Sequence, residues 1–188
     1  EIAALEAQIN PHFLYNTLDT INWMAIDNKE YEISNSIGAL AHILRYGIDN
    51  SNGIVTIREE CGWLKQYLFL QQTRLKSTFQ CEIHVEPELF DCRIHKLLLQ
   101  PFVENSILHG FDGVNRVHIL TVTIAEREEK LCAEIYDNGR GILESMVEQM
   151  NQGVFQKSSE KNHIGMENAI SRIRMYYGEE GQIRIGSC

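Results

Sequence analysis

The chain has 188 residues, of which 44% are hydrophobic, and its 17 Lys and Arg against 26 Asp and Glu give a formal net charge of −9. This length accommodates one large domain or two small ones. The negative charge and the lack of a basic block argue against nucleic acid as a partner. Five cysteines without CxxC spacing predict reduced thiols rather than a disulfide framework or a zinc site. No apolar run reaches the roughly 20 residues that span a bilayer, and no signal peptide opens the chain.

The first predicted helix covers residues 2–28. Asn10 is a natural N-cap, and Pro11, which lacks an N–H, is tolerated at a helix start or a kink. At about 100° per residue, His12 and Asn16 fall on the polar side. The opposite side carries Leu14, Leu18, Ile21 and Ala25. By this pattern alone, His12 is either an ordinary surface histidine or a reactive group held beside a backbone irregularity.

Two further helices follow. Residues 31–48 carry apolar side chains at three-to-four spacing, and Thr56 with Glu59 forms a capping box at the start of the third helix. The apolar stripes of these helices are narrow and nearly heptad-spaced, which favours a bundle shared between two chains. A monomeric helical hairpin is the alternative.

From residue 79 onward, the pattern is that of an α/β module. An apolar helix is predicted over residues 96–109, and Glu128-Glu129-Lys130 reads as a hairpin turn. Gly178 is a C-cap candidate for the last helix. The other predicted elements are strands at 79–85, 117–125 and 131–136, helices at 143–150 and 165–177, and a strand-like segment at 182–185.

The helix near residue 104 carries a polar group opposite its apolar stripe. Asn105 and His109 stand at i and i+4, and Glu104 is adjacent. An amide oxygen is a hard ligand of the kind that Mg²⁺ accepts while sharing phosphate oxygens. The alternative is a polar face that is simply solvated.

A second polar motif, Asp137-x-Gly139-x-Gly141, ends a strand. Glycines there let the backbone approach a ligand closely, and Asp137 can accept a hydrogen bond from an amine. Taken alone, this motif is equally typical of a tight turn.

The order of five separated blocks resembles the sensor histidine kinases of the LytS/YesM type, whose ATP-binding domain belongs to the GHKL (Bergerat-fold) group. The resemblance covers nearly the whole chain. It implies an α+β fold, in which a dimerising helical module at 1–78 precedes an ATP-binding α/β two-layer sandwich at 79–188 with a mixed sheet and helices on one face. The blocks are Gln8–Asn16, Leu44-Arg45-Tyr46, Gln100–Gly110, Asp137–Gly141 and His163–Asn168.

The resemblance also implies roles for single residues. His12 matches the phosphoacceptor, Asn105 the Mg²⁺ ligand and Glu104 the neighbouring acid, while Asn16 is a candidate for phosphatase activity. Asp137 matches the acceptor of the adenine amine. The other implied nucleotide contacts are His109, Gly139, Gly141, Gly165 and Met166, with Lys157 and Lys161 in an ATP lid at 151–163.

The function implied is ATP- and Mg²⁺-dependent autophosphorylation of His12, followed by transfer to an aspartate of a response regulator. The expected protein is a homodimer in the cytoplasm, anchored to a bacterial membrane through segments outside this chain. A GHKL ATPase or serine kinase is an alternative that the Asn10-Pro11-His12 block and the heptad-like helices argue against. The remaining alternative is a nucleotide-binding adaptor that does not phosphorylate histidine.

Three departures from the family pattern stand out. Phe13 follows His12 where other kinases carry an acid, so the base for His12 is unassigned. Leu108 stands where relatives commonly have a lysine. The closing Gly-x-Gly-Thr segment and last strand of the family are absent from these residues, which predicts an unpaired sheet edge.

Overall fold

The protein is described here by a computed structural model. It describes residues 10–48, 53–76, 78–111, 116–152 and 164–187. Helices and a mixed sheet are both present, so the predicted α+β class is confirmed.

The chain divides into two compact units. One comprises Glu1–Gly53 with Cys61–Ser77, and the other comprises Ile54–Glu60 with Thr78–Cys188. The sequence placed a boundary near residue 78. The structure adds a second division, because the short stretch from Ile54 to Glu60 belongs to the later unit.

The first unit contains helix α1 (Pro11–Asp27) and helix α2 (Tyr31–Ile48). Asn10 caps α1, since its side chain accepts a hydrogen bond from the His12 N–H at 3.0 Å. The described helix begins at Pro11, and the predicted start near residue 2 lies outside the described residues. Helix α2 has the predicted bounds.

Helix α3 (Ile57–Arg74) begins in the second unit and enters the first at Cys61. Within the first unit, Trp63 is only 3% exposed and stacks on Tyr67 with the ring centroids 5.2 Å apart. Tyr46 of α2 contacts the same indole. The contact between Tyr46 and Trp63 joins α2 to α3, and Leu64 and Leu68 of α3 are buried.

Several large apolar side chains of α1 and α2 remain exposed to solvent. Each keeps more than half of its surface accessible, whereas a soluble monomer usually leaves only scattered apolar side chains exposed. They are Phe13, Trp23, Met24, Tyr31 and Ile33.

The predicted capping box at the start of α3 is confirmed. The Thr56 N–H donates to Glu59 Oε2 at 2.8 Å, and the Glu59 N–H donates back to Thr56 Oγ1 at 3.2 Å. The Thr56 hydroxyl also donates to the carboxylate. These bonds, the backbone one foremost, lower the pKa of the Glu59 carboxyl.

The second unit is built on a mixed sheet with the order β2-β4-β5, formed by β2 (Phe79–Val85), β4 (His118–Arg127) and β5 (Lys130–Asp137). Strand β2 runs parallel to β4, and β5 runs antiparallel to it. One face of β4 is buried through Leu120, Val122 and Ile124. Glu128 and Glu129 both have positive φ, which is the geometry of a tight hairpin turn and agrees with the prediction there.

A small second sheet pairs β1 (Ile54–Thr56) antiparallel with β3 (Arg93–His95). The sequence pattern did not predict a strand before Thr56. The pairing explains why this stretch belongs to the second unit.

The predicted helix at 96–109 is wrong in its bounds and geometry. Helix α4 covers only Gln100–Asn105, and a π-helical turn at Ser106–Gly110 continues it. Residues 96–99 form a turn and a bend, with Leu97 at φ +56°. The helix begins at Gln100, one residue before Pro101, which supplies no N–H and is tolerated only near a helix start. The wider π turn also alters the i, i+4 alignment assumed for Asn105 and His109.

The last helices are α5 (Glu144–Gln152) and α6 (Ile164–Tyr177), close to their predicted bounds. Gly178 follows α6 with φ +58°, as expected of a residue that ends a helix. The strand predicted at 182–185 is wrong. Instead, the Asn151 amide accepts from the Ile185 N–H and donates to the Ile185 carbonyl, both at 2.8 Å, so a side chain satisfies the groups that a neighbouring strand would bond. Within the described part of the chain, no helix is long and apolar enough to cross a membrane.

The capping box makes the stability of the protein depend on pH. The pKa of Glu59 is lowered on folding, so its carboxylate stabilises the fold above the unfolded value of 4.5, and this contribution disappears as the pH falls through the lower folded value. We expect Glu59→Gln to lower the thermal unfolding midpoint at pH 7. The difference from the parent chain should shrink below pH 4.5. A difference that stays constant from pH 7 to pH 3 would contradict this assignment.

Candidate functional site

The carboxylate of Asp137, at the end of β5, is held through both of its oxygens. Ser106 Oγ donates to Oδ2 at 2.6 Å, and the Gly139 N–H donates to Oδ1 at 2.9 Å. A carboxylate offers about four lone-pair sites. The carboxylate is therefore oriented by its neighbours and retains the capacity to accept a further hydrogen bond from a ligand.

Two glycines let the π turn meet the loop after β5. The Arg140 N–H donates to the Gly110 carbonyl at 2.7 Å. A Cβ on Gly139 would collide with that carbonyl and with Asp137 Oδ1, and a Cβ on Gly110 would lie 3.0 Å from the same oxygen. Gly141 has φ +73°, a conformation that L side chains rarely adopt. The glycines thus allow a close approach between two protein segments, and the predicted approach to a ligand stays a prediction.

The same loop is tied to the start of β4. The Ile119 N–H donates to Asn138 Oδ1 at 2.7 Å, and Asn138 Nδ2 donates to the Val117 carbonyl at 2.8 Å. Arg116 donates to the Gly139 carbonyl at 2.8 Å. Sequence reasoning missed Asn138 and Arg116. The only signal for Asn138 was its place in a turn, and nothing in the sequence pointed to Arg116.

Glu104 and Asn105 directly precede Ser106, the residue that bonds to Asp137. Glu104 accepts a hydrogen bond from Gln100 Nε2 at 2.7 Å. Asn105 is half-buried, and among the described residues its amide has no hydrogen-bond partner. The Asn105 amide oxygen and the Glu104 carboxylate are oxygens of the hard type that Mg²⁺ prefers.

For the other predicted nucleotide contacts, the structure gives the element in which each residue lies and its burial. His109 lies in the π turn and is half-buried. Gly165 lies in the first turn of α6, and Met166 is buried, with 8% of its surface exposed. Lys157 and Lys161 lie outside the described residues.

The residues fit a magnesium nucleotide by their chemistry. Among the described residues, no group of three or more His, Cys, Asp or Glu side chains could hold a metal ion by itself. Mg²⁺ usually takes one or two protein oxygens and completes its coordination with waters and substrate phosphates, which suits Asn105 and Glu104.

His12, in the first unit, is exposed in the first turn of α1. Asn16, one turn later, places its Nδ2 atom 3.2 Å from Nδ1 and 3.5 Å from Nε2 of the imidazole. The polar side predicted for both residues is confirmed, since both are exposed. In the same unit, the Arg45 guanidinium lies over the Tyr15 ring, 5.3 Å from its centroid.

The close approach at Gly139 predicts a large effect of one methyl group. Gly139→Ala should destabilise the protein by about 1–3 kcal/mol, because the backbone carbonyl of Gly110 cannot move aside as a side chain would. Gly186→Ala, in the same unit, should leave stability unchanged, because a Cβ at Gly186 meets nothing within 4 Å. Denaturant unfolding of both variants checks this, and equal midpoints would show that the two segments are not in tight contact.

Three comparisons with known proteins found similar sequences and structures. Residues 1–79 match the sequence model of the family described as histidine kinase. The chain is 34% identical over 187 residues to Sensor histidine kinase YesM of Bacillus subtilis (strain 168), covering 100% of the chain and 31% of YesM. It is 30% identical over 185 residues to Sensor histidine kinase YpdA of Escherichia coli (strain K12), covering 98% of the chain and 32% of YpdA.

Among solved structures, the histidine kinase domain of the blue-light activated histidine kinase from Erythrobacter litoralis EL346 aligns with a TM-score of 0.47 at 11% identity, over 87% of this chain and 84% of that one. The chain spans about a third of the length of the relatives YesM and YpdA. Over that span, it is a homologue of the YesM and YpdA sensor histidine kinases, and its first 79 residues match the histidine kinase family.

Proposed function

We propose that this chain is the kinase region of a two-component sensor and that it uses Mg²⁺ and ATP to phosphorylate His12. The phosphoryl group then passes to an aspartate of a response regulator. The observation that carries the proposal is the exposed His12 imidazole, fixed in the first turn of a helix capped by Asn10. The relatives' names, sensor histidine kinases, support the same assignment.

The chemistry suits an imidazole at this place. Its neutral form offers a lone pair for in-line attack on a phosphoryl group, and an exposed side chain can be reached by ATP and later by a regulator. Phosphoryl transfer depends mainly on positioning and on neutralisation of charge. The bond that forms joins the ring nitrogen to the γ-phosphorus, and the bond that breaks releases ADP.

The second unit would position the nucleotide. Asp137 would accept a hydrogen bond from the adenine amine, because Ser106 and Gly139 fix its carboxylate and leave acceptor capacity. Asn105 would bind Mg²⁺ through its amide oxygen, with Glu104 ordering water or metal beside it. When bound, Mg²⁺ would neutralise phosphate charge. Gly139, Gly141, Gly165, Met166 and His109 would line the nucleotide, and Lys157 and Lys161 would approach the phosphates.

We propose that the chain forms a homodimer through α1 and α2. The support is their set of exposed apolar side chains, among them Trp23, Met24 and Ile33, which burial against a second copy would remove from water. The membrane anchor and sensor would then belong to segments outside this chain, with the kinase region in the cytoplasm.

Labelling with γ-phosphate-labelled ATP and Mg²⁺ tests the kinase. We expect an acid-labile, alkali-stable label that disappears in His12→Gln. His42→Gln is the matched control, because His42 is also an exposed histidine of the helical unit, on α2. The His42→Gln variant should be labelled to the same extent as the parent chain.

A chain that binds ATP without labelling His12 would overturn the kinase proposal and favour the nucleotide-binding adaptor. Label retained in His12→Gln would place the phosphoacceptor elsewhere.

Asn16 is our candidate for the phosphatase step, because its amide lies within hydrogen-bond reach of the imidazole and could position an attacking water. Asn16→Ala should slow dephosphorylation of a phosphorylated receiver domain by about a hundredfold and spare autophosphorylation. Asn35→Ala, an exposed asparagine of α2, is the control. Equal dephosphorylation rates in the parent chain and Asn16→Ala would exclude this role.

A further inference from the structure

Glu60 is a fully buried carboxylate that the proposed chemistry does not use. It is 0% exposed, and among the described residues only Ser106 is another buried polar or charged side chain. Burial of an ionised carboxylate is strongly unfavourable unless hydrogen bonds replace its hydration. Such a group therefore needs a structural reason for its place.

Both carboxylate oxygens of Glu60 accept hydrogen bonds from backbone N–H groups of the turn before α4. Oε2 accepts from the Leu97 N–H at 2.9 Å, and Oε1 accepts from the Leu99 N–H at 3.2 Å. Leu97 has φ +56°, a conformation that a leucine holds only when its surroundings impose it. One side chain from α3 thus fixes a strained turn 37 residues later in the chain.

That turn leads directly into α4. Leu99 is the N-cap residue of α4, but it makes no side-chain capping bond, and Pro101 removes one N–H from the first turn. The Glu60 carboxyl group instead accepts hydrogen bonds from Leu97 and Leu99, which lie just before α4. The turn that leads into α4 therefore depends on Glu60, a residue that is distant in the sequence.

Glu60 is itself held firmly within the second unit. The Ile57 N–H donates to the Cys92 carbonyl at 2.9 Å, and the Arg58 N–H donates to the Phe90 carbonyl at 3.0 Å. These bonds anchor the first turn of α3, from which the Glu60 side chain reaches the turn before α4. The backbone that carries Glu60 is therefore held in place independently of the bonds that its side chain makes.

The turn has a second support from α6. Tyr177 Oη accepts from the His95 N–H, and Arg172 donates to the Lys96 carbonyl, both at 3.1 Å. Both contacts act before Leu97. Loss of Glu60 would therefore leave the chain anchored up to residue 96 and free the stretch that sets the start of α4.

We propose that Glu60 is a positioning residue for the magnesium nucleotide, holding the turn at Leu97–Leu99 so that α4 presents Glu104 and Asn105 beside Asp137. This inference rests on the proposed function. Removal of a group that orients a metal ligand typically lowers metal affinity by about 10- to 100-fold. We expect a loss of that size for Glu60→Gln, whose amide accepts one of the two N–H groups and opposes the other.

The test compares Glu60→Gln with Glu59→Gln and Val122→Ala in the whole chain. Glu59 is the adjacent glutamate but is exposed, and Val122 is a buried residue of β4, outside residues 97–105, whose truncation lowers stability. The affinity for a non-hydrolysable ATP analogue is measured with and without Mg²⁺, at a temperature where each variant is folded. Amide hydrogen exchange at Leu97 and Leu99 is measured on the same samples without nucleotide.

We expect Glu60→Gln to bind the analogue about 10- to 100-fold more weakly with Mg²⁺, to lose much less affinity without Mg²⁺, and to exchange faster at Leu97 and Leu99. Glu59→Gln should bind like the parent chain. Two results would overturn the inference: unchanged exchange at these amides, or a loss of affinity that Val122→Ala reproduces at the same loss of stability. A parent chain that binds no nucleotide would refute the proposed function and with it this role for Glu60, whereas weak binding in the Glu60 variant alone would not affect the proposed function.

Discussion

The second unit depends on the contact between the π turn that follows α4 and the loop that follows β5. Gly110 and Gly139 bring two backbones so close that a Cβ on Gly139 has no room, and the Arg140 N–H bonds the Gly110 carbonyl across the gap. Ser106 then reaches Asp137 from the same turn. Because the loop is also tied to β4 through Asn138, one small region fixes the helix with Glu104 and Asn105 relative to the sheet edge with Asp137. The geometry of the proposed nucleotide site follows from that contact.

The first unit has mostly local hydrogen bonds in α1, within the helix and at its cap. Its helices satisfy their own polar ends, as Asn10 does at α1, and a hydrogen bond from Ser34 Oγ to Asn22 Oδ1 at 2.6 Å joins α1 to α2. The imidazole of His12 is left exposed, with Asn16 beside it. In the proposed reaction the imidazole would meet ATP and then a response regulator, and an exposed side chain suits that role. In the proposed homodimer, the exposed apolar side chains of α1 and α2 would be covered by the second chain.

Sequence reasoning identified most elements, because their signals are local. The period of α2, the capping box of Thr56 and Glu59, the alternation of β2 and the turn at Glu128-Glu129 each depend on residues close together in the chain. It failed at residues 96–99 and 182–185. The first stretch is apolar like the helix it precedes, and Pro101 with the distant Glu60 decides where the helix starts. The second alternates like a strand, but the groups of Ile185 bond to Asn151.

The sequence alone determined which chemistry is present: an exposed histidine after Asn-Pro, an amide and an acid on one helix, and an aspartate before two glycines. These are properties of single residues and short spacings. Only the tertiary structure decided how that chemistry is held. The bond from Ser106 to Asp137 spans 31 positions, and that from Leu97 to Glu60 spans 37. No local pattern encodes such contacts, because a buried polar group finds its partner through the packing of the whole unit rather than through its neighbours in the chain.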